Sequence, residues 1–409
     1  MIGDDAIKLL LLDMLSSARS PDPVLMARLH DSDWDTLGHI ARQHRVEPLL
    51  FEQGRAGGWP VPATLRATWS DAYRRAAMKS LSLHQVLGRL HMILEPAGID
   101  YAALKGAWLA WQAYPHPALR PMRDIDILVA HENALAVNAA LLANGFELRP
   151  DAATPLDFAH AHEKHLPPLR HSITNVSVEI HTRLTDYAQA GVVAQLDFDN
   201  VATLLGRSIR APLGRHSLPF LSATDSLLHL IIHTAHDHGF NNGPLVYNDI
   251  AVLLRVSQID WGLFWQMADA NLWSRGCQLI LALTEFYHGM LGIVWPDQTE
   301  AVAPELLRSV ALLSLQDHHG RGEVALLSAM GNTDSLWGRL QVMIARLFPS
   351  RHVIAAHANI NPDSAWVWTR YPLWLFHRAG QVASSLSDAQ ARQDARHATR
   401  VMRWMAGAE

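Results

Sequence analysis

The stretch Arg120-Pro-Met-Arg123-Asp124-Ile-Asp126-Ile-Leu-Val129 carries the densest chemistry in this chain. Read as a β-strand, it sends Asp124 and Asp126 out of one face, about 7 Å apart from twice the strand rise. Ile125 and Ile127 turn to the other face, toward a core. Two carboxylates on an otherwise apolar strand need partners, because an unpaired buried charge is expensive. A hard cation, Mg²⁺ or Mn²⁺, is the natural one, completing its shell with waters and substrate phosphates. Two such ions about 3.5–4 Å apart would suit an in-line phosphoryl displacement. The same pair on a surface strand would simply be solvated, and Asp-x-Asp alone does not choose between the two.

Two further features bear on that choice. Leu104-Lys105-Gly106-Ala107 falls where a strand passes into a helix. A glycine there lets backbone approach a phosphate at a helix N-terminus, and Lys105 adds a point charge. Downstream, Val176-Ser-Val-Glu179-Ile-His181 alternates as a strand, with Glu179 and His181 on one face, offering a third carboxylate. Histidines are abundant, 24 in all, so each alone is weak evidence. His160, His162 and His165 surround Glu163 and Lys164. His229, His233 and His236 share a helical face by their spacing, with Asp237 and Asp249 following. A His-Asp metal-dependent phosphohydrolase would also carry a His236-Asp237 pair and a distant aspartate. Adjacent residues diverge by about 100° on a helix, however, so structural or substrate-lining histidines are the simpler expectation.

The elements that must position these residues follow from periodicity. Residues 1–92 read as a helical region, with apolar residues at three- and four-residue spacing and a break at Gly57-Gly58, Pro60 and Pro62. Residues 93–215 read as an α/β core: a strand over Ile99–Leu104, a helical run to Tyr114, a proline-rich connection, the Asp124–Val129 strand, a helix over Glu132–Ala143, a strand at Phe146–Leu148 and the 176–181 strand. Residues 216–409 read as a helical domain, including segments at Asp225–His236, Leu279–Leu291 and Leu336–Leu347.

With 409 residues, 49% apolar and 18% charged, the chain builds a sizeable core and excludes disordered and fibrous classes. The net charge of −5 argues against a nucleic-acid-coating surface. The single cysteine, Cys277, excludes a disulfide framework and a cysteine-based zinc site and fits a reducing cytosol. Acidic residues precede the first apolar run, the reverse of a signal peptide, and no uncharged apolar run reaches eighteen residues. A cytoplasmic protein with no membrane partner is expected. Neither a G-x-G-x-x-G fingerprint nor a Walker loop is present, which argues against dinucleotide enzymes and P-loop kinases.

Taken together, these features resemble the polymerase-β-like nucleotidyltransferase superfamily, in which a glycine turn and helix precede an Asp-x-Asp strand and a third acid lies on a later strand. The resemblance is closer to a branch of uncharacterised bacterial nucleotidyltransferase family proteins. It is carried by Leu104-Lys105-Gly106, Tyr114-Pro115, Arg120, Asp124–Val129, Glu179-Ile180-His181 and the histidine-spaced segment from Asp225 to Asp249, covering residues 80–260. Where the wider superfamily has Gly-Ser, this chain has Gly106-Ala107, and its interval from Gly106 to Asp124 is longer. The resemblance implies an α+β fold, a small mixed β-sheet core flanked by N-terminal and C-terminal helical regions. It implies transfer of a nucleotidyl group from an NTP, with Mg²⁺ or Mn²⁺ held by Asp124, Asp126 and Glu179, and Glu179 drawing the acceptor proton. Lys105, Gly106, Arg120 and His181 would contact the nucleotide, Arg120 offsetting charge that develops on the phosphates. Relatives of the branch accompany polysaccharide and peptide natural-product pathways, so a sugar, a small metabolite or a peptide is the implied acceptor. A non-catalytic nucleotide-binding relative is the remaining alternative.

Overall fold

The computed structural model of the chain describes residues 2–152, 154–185, 200–317, 351, 354–355, 360, 364–376 and 389–407. It divides into two compact units, residues 1–301 and 302–409. The first unit opens with α1 (Asp4–Leu15), α2 (Pro23–Ala27), α3 (Asp31–Gln43), α4 (Glu47–Gly57) and α5 (Ala63–Leu94). Local chemistry sets their ends. Pro23 and Pro48 occupy first-turn positions, where a missing N–H costs nothing. Gly58, at φ 61°, closes α4 in the left-handed conformation. The expected break at 57–62 is therefore where α4 gives way to α5. Along the second half of α5, Leu83, Val86, Leu87, Leu90 and Leu94 form one buried stripe.

The sheet begins with β1 (Tyr101–Ala103), shorter than the expected Ile99–Leu104. A single α-turn, α6 (Gly106–Trp108), runs straight into a π-helical segment, Leu109–Ala113. Then come β2 (Asp124–Val129), α7 (Ala134–Ala143), β3 (Phe146–Leu148), α8 (Leu156–His162), β4 (Leu169–His171) and β5 (Ser177–His181). After α9 (Val201–Gly206), a hairpin of β6 (Ile209–Leu213) and β7 (His216–Phe220) returns to the sheet. Hydrophobic alternation does not signal this hairpin, since Pro212 and Pro219 interrupt it and Gly214, at φ 61°, makes its turn. The strand order is β3-β4-β5-β2-β1-β7-β6, with β2–β5 and β1–β7 parallel and the other neighbours antiparallel. The protein is thus α+β, a mixed sheet with helical regions on either side in sequence.

One face of the sheet is covered. Ile125, Ile127 and Val129 of β2, Val178 and Ile180 of β5, and Tyr101 and Ala103 of β1 share a core with the α5 stripe and with Val137 and Leu141 of α7. The opposite face of β2 and β5 carries Asp124, Asp126, Glu179 and His181.

Beyond the hairpin, α10 (Ala223–Ile232) is capped by Ser222 and continues as a π-helical turn, His233–Asp237. It is followed by α11 (Leu245–Val256), α12 (Trp261–Ala270) and α13 (Ser274–His288). Cys277 is buried in α13, and burial pushes its thiol pKa up. The second unit contains helices at Pro304–Leu313 and Ala389–Met405 and helical residues 367–376. The expected helix at Leu336–Leu347 lies outside the described residues. No helix among the described residues is long and apolar enough to cross a membrane.

The two faces of β2 should answer substitution differently. Ile127→Ala, in the covered core, is expected to lose about 2–5 kcal/mol in urea unfolding. Asp124→Asn, which removes a like charge from the other face, should leave the midpoint unchanged or raise it.

Candidate functional site

Strand register builds the site. In the parallel pair, Asp126 stands opposite Glu179, Asp124 opposite Ser177 and Leu128 opposite His181. Side chains in register point the same way, so Asp124, Asp126, Glu179 and His181 leave one face together. His181 Nε2 lies 3.6 Å from a carboxylate oxygen of Asp126 and 3.6 Å from one of Glu179. Donor atoms of Asp126, Glu179 and His181 all fall within 4.8 Å of one another. A distance of 3.6 Å is too long for a hydrogen bond, and both ring nitrogens of the buried His181 lack one among the described residues.

The strand-to-helix turn reaches the same carboxylates. Lys105 Nζ is 3.2 Å from Asp126 Oδ2. The end of β1 is tied down by the Leu104 N–H, which donates to the Asp126 carbonyl at 2.9 Å. Lys105, rather than Gly106, has the positive φ, 46°, a backbone conformation that a residue with a Cβ rarely adopts. The glycine answers a different need. A Cβ at Gly106 would fall on Nη1 of Arg120 and lie 2.7 Å from its Cζ and 3.1 Å from Met122 Cγ. Arg120 cannot easily yield, because it is gripped from the far side. Its Nη2 and Nε donate to the two oxygens of Asp249 at 2.8 and 3.2 Å, and the Tyr114 hydroxyl donates to the same carboxylate at 2.8 Å. Arg120 is therefore a half-buried pin joining the turn to α11.

Charge decides protonation here. Burial, then the charges of Asp126 and Glu179, push Asp124 up to about 6. Burial also works against ionised Asp126, yet Lys105 and His181 together hold it well below the ordinary carboxylate range. Glu179 is lowered too, its burial outweighed chiefly by His181. His181 is raised, because the two carboxylates more than offset its desolvation.

The histidine helix borders this cluster. His229, buried, is held well below its ordinary value by desolvation and then by Lys105, His233 and His181, and its Nδ1 has no hydrogen-bond partner among the described residues. Burial and Lys105 lower His233 to about 3. Residues 164–166 run beside β5, with the His165 ring 5.2 Å from that of His181. Lys164 reaches Asp237 at 2.8 Å. Of the three histidines expected on one face, His229 and His233 keep it. The π-helical turn breaks the 3.6-residue phase and sends His236 toward Trp273 and Gly276.

The structure thus brings together Lys105, Asp126, Glu179 and His181, sets Asp124 beside them, and places Gly106 and Arg120 one step away. The partners Asp249, Tyr114, Lys164 and Asp237 carry no local signal of their own. Tyr114-Pro115, the histidines around Lys164 and the histidine-spaced segment through Asp237 to Asp249 mark their neighbourhoods but not their pairings.

The profile of an uncharacterised nucleotidyltransferase family matches residues 30–288, more than half of the chain. No curated protein matches.

Gly106→Ala should drive the Arg120 guanidinium from Asp249 and lower stability by about 3–5 kcal/mol, the cost of breaking a buried pair. The effect should shrink in an Asp249→Asn background, a coupling read by a double-mutant cycle in urea. Carbon-detected NMR of the metal-free protein should show Asp124 titrating near pH 6. Asp126→Asn should lower that midpoint only part of the way toward 3.9, because burial is the larger cause. A raised carboxyl pKa penalises the ionised form, so this group's cost to stability is present above about pH 6 and relieved as pH falls through it.

Proposed function

The chain belongs to this nucleotidyltransferase family, and from that premise we propose that it moves a nucleotidyl group from a nucleoside triphosphate to an acceptor, with divalent metal held by Asp124, Asp126 and Glu179. The observation that best supports the reading is the convergence of Asp126, Glu179 and His181 donor atoms within 4.8 Å. The donor set fits such an ion. Two carboxylates face one space, and the imidazole between them is buried with no hydrogen bond to either. Bound there, Mg²⁺ or Mn²⁺ would supply the positive charge that nucleotidyl transfer requires.

The chain's own residues divide the remaining work. Lys105 adds a point charge beside Asp126. Glu179, at the outer side of the cluster, accepts the proton of the attacking hydroxyl as its oxygen bonds to the α-phosphorus and pyrophosphate leaves. Gly106 and Arg120 fix the turn, the Arg120 guanidinium being held against it by two bonds to Asp249. His229, kept neutral by burial, offers an imidazole nitrogen to an acceptor hydroxyl on the α10 side. A sugar, a small metabolite or a peptide natural product each presents such a hydroxyl, and the cytosolic NTP pool would provide the donor. Asp237 is held by Lys164 and His233, and His236 turns away, so no observation favours the phosphohydrolase alternative.

Thermal unfolding of the full chain tests the reading. With Mg²⁺ or Mn²⁺ and the correct NTP together, the melting temperature should rise by several degrees, about 2.7 kcal/mol at a hundred times Kd. Neither component alone should match it, and Asp126→Asn should abolish the rise. No shift with any of the four NTPs and either metal would sink the proposal. A shift with metal alone would revive the hydrolase.

A further inference from the structure

Counting charges around the candidate site leaves a remainder. Lys105 is paired with Asp126, Arg120 with Asp249, Lys164 with Asp237 and Arg149 with Asp151. Arg45 and Lys79 are not paired. Both are half-buried, and neither side chain has a hydrogen bond or ion pair among the described residues. They come from different helical elements, the α3–α4 junction and the middle of α5, yet both feel the charge of Asp124. The exposed Arg123, next to Asp124 in the chain, lies near enough to Arg45 to repel it. Lys79 also lines a recess between α5 and residues 117–122, shared with Trp111, Arg120, Pro121 and Met122, with Met122 two residues away in the chain from the start of β2.

The backbone at Arg45 adds an independent oddity. At the end of α3, Val46 N–H donates to the Ala41 carbonyl at 3.0 Å and Arg45 N–H to that of Arg42 at 3.1 Å. This is the Schellman pattern, and its left-handed position normally takes glycine. Arg45 fills it at φ 57°. Composition points the same way at Lys79, one of only four lysines against thirty arginines. A desolvated cation with no partner is costly on its own and becomes favourable when an anion arrives. Burial and the neighbouring Arg123 accordingly lower Arg45 to about 10, and burial lowers Lys79.

We propose that Arg45, Lys79 and Arg123 form an anion wall beside Asp124 that takes the phosphate chain of the nucleotide, a job that Lys105 and Arg120 leave open by being paired. A guanidinium fork and a compact ammonium are complementary to phosphate oxygens, and such a wall supplies positive charge for a multiply charged anion beside the three carboxylates. Naming the nucleotide as the source of the phosphates rests on the nucleotidyl-transfer reading. The wall itself does not.

The probe is inorganic tripolyphosphate, titrated into the full-length protein by calorimetry in the presence of a chelator. Wild type should bind it, more weakly as salt rises. Arg45→Gly and Lys79→Gln should each weaken binding about tenfold or more. Arg45→Lys should retain part of it. Arg45→Gly removes both the unpaired charge and the strained backbone, so it should melt at the wild-type temperature or higher. Tripolyphosphate should compete with Mg²⁺–NTP. Binding that is absent in wild type, or unchanged in both variants, would overturn the wall. So would a melting temperature that falls in Arg45→Gly, which would make Arg45 a structural residue. Should those controls fail while Mg²⁺–NTP still stabilises the protein, nucleotidyl transfer stands without the wall. A wall that binds tripolyphosphate in a protein that no NTP stabilises is the converse result. Simultaneous binding of tripolyphosphate and Mg²⁺–NTP would assign the wall to a phosphate on the acceptor and overturn its assignment to the donor.

Discussion

Three carboxylates on one face of two adjacent parallel strands repel one another, and most of what surrounds them is intelligible as a response. The parallel register of β2 and β5 puts Asp126 opposite Glu179 with no freedom to separate. A one-residue slip would rescue the charges only by turning Ile125, Ile127, Val178 and Ile180 out of the core, so the hydrophobic face holds the acidic face in its unfavourable arrangement. The protein's own cations relieve part of the repulsion. Lys105 takes Asp126, and His181 sits between Asp126 and Glu179. Asp124 is left as the carboxyl least able to ionise. The arrangement is thus strained toward binding positive charge, which is what a site for divalent metal requires.

The same logic extends outward in alternating shells. Around the acids lie cations, and around those lie further acids: Asp249 on Arg120, Asp237 on Lys164. Three of the four lysines in the chain, Lys79, Lys105 and Lys164, belong to this neighbourhood. Two of them place a compact ammonium directly on a carboxylate, Lys105 on Asp126 and Lys164 on Asp237.

Much of the core was legible because it is local. The period-two pattern of Asp124–Val129 gives both the strand and its two faces, and Asn144-Gly145 marks the end of α7 without any tertiary information. The site was legible in part for the same reason, since Asp124 with Asp126, and Glu179 with His181, are each fixed by alternation. What connects them is not local. Arg120 and Asp249 are separated by 129 residues, and nothing in either segment names the other. Gly106 illustrates the limit well: its presence in a turn is readable, while its reason, the guanidinium lying against it, is not. The β6–β7 hairpin stayed hidden because its two prolines interrupt alternation, and the π-helical turns because they contradict the period used to find helices.

The separation of Arg120 from Asp249 also orders the birth of the protein. A ribosome delivers β1, the turn and β2 long before α11, so the sheet's first strands must wait with a guanidinium that the mature fold half-buries and only a late segment neutralises. Until residue 249 has cleared the exit tunnel, Arg120 is better off in water, and Gly106 has nothing packed on it. The sharp turn beside Asp126 therefore matures only after the histidine helix has been synthesised. A nascent chain or fragment that stops before α11 carries every acidic residue of the site and still lacks the clasp that shapes it.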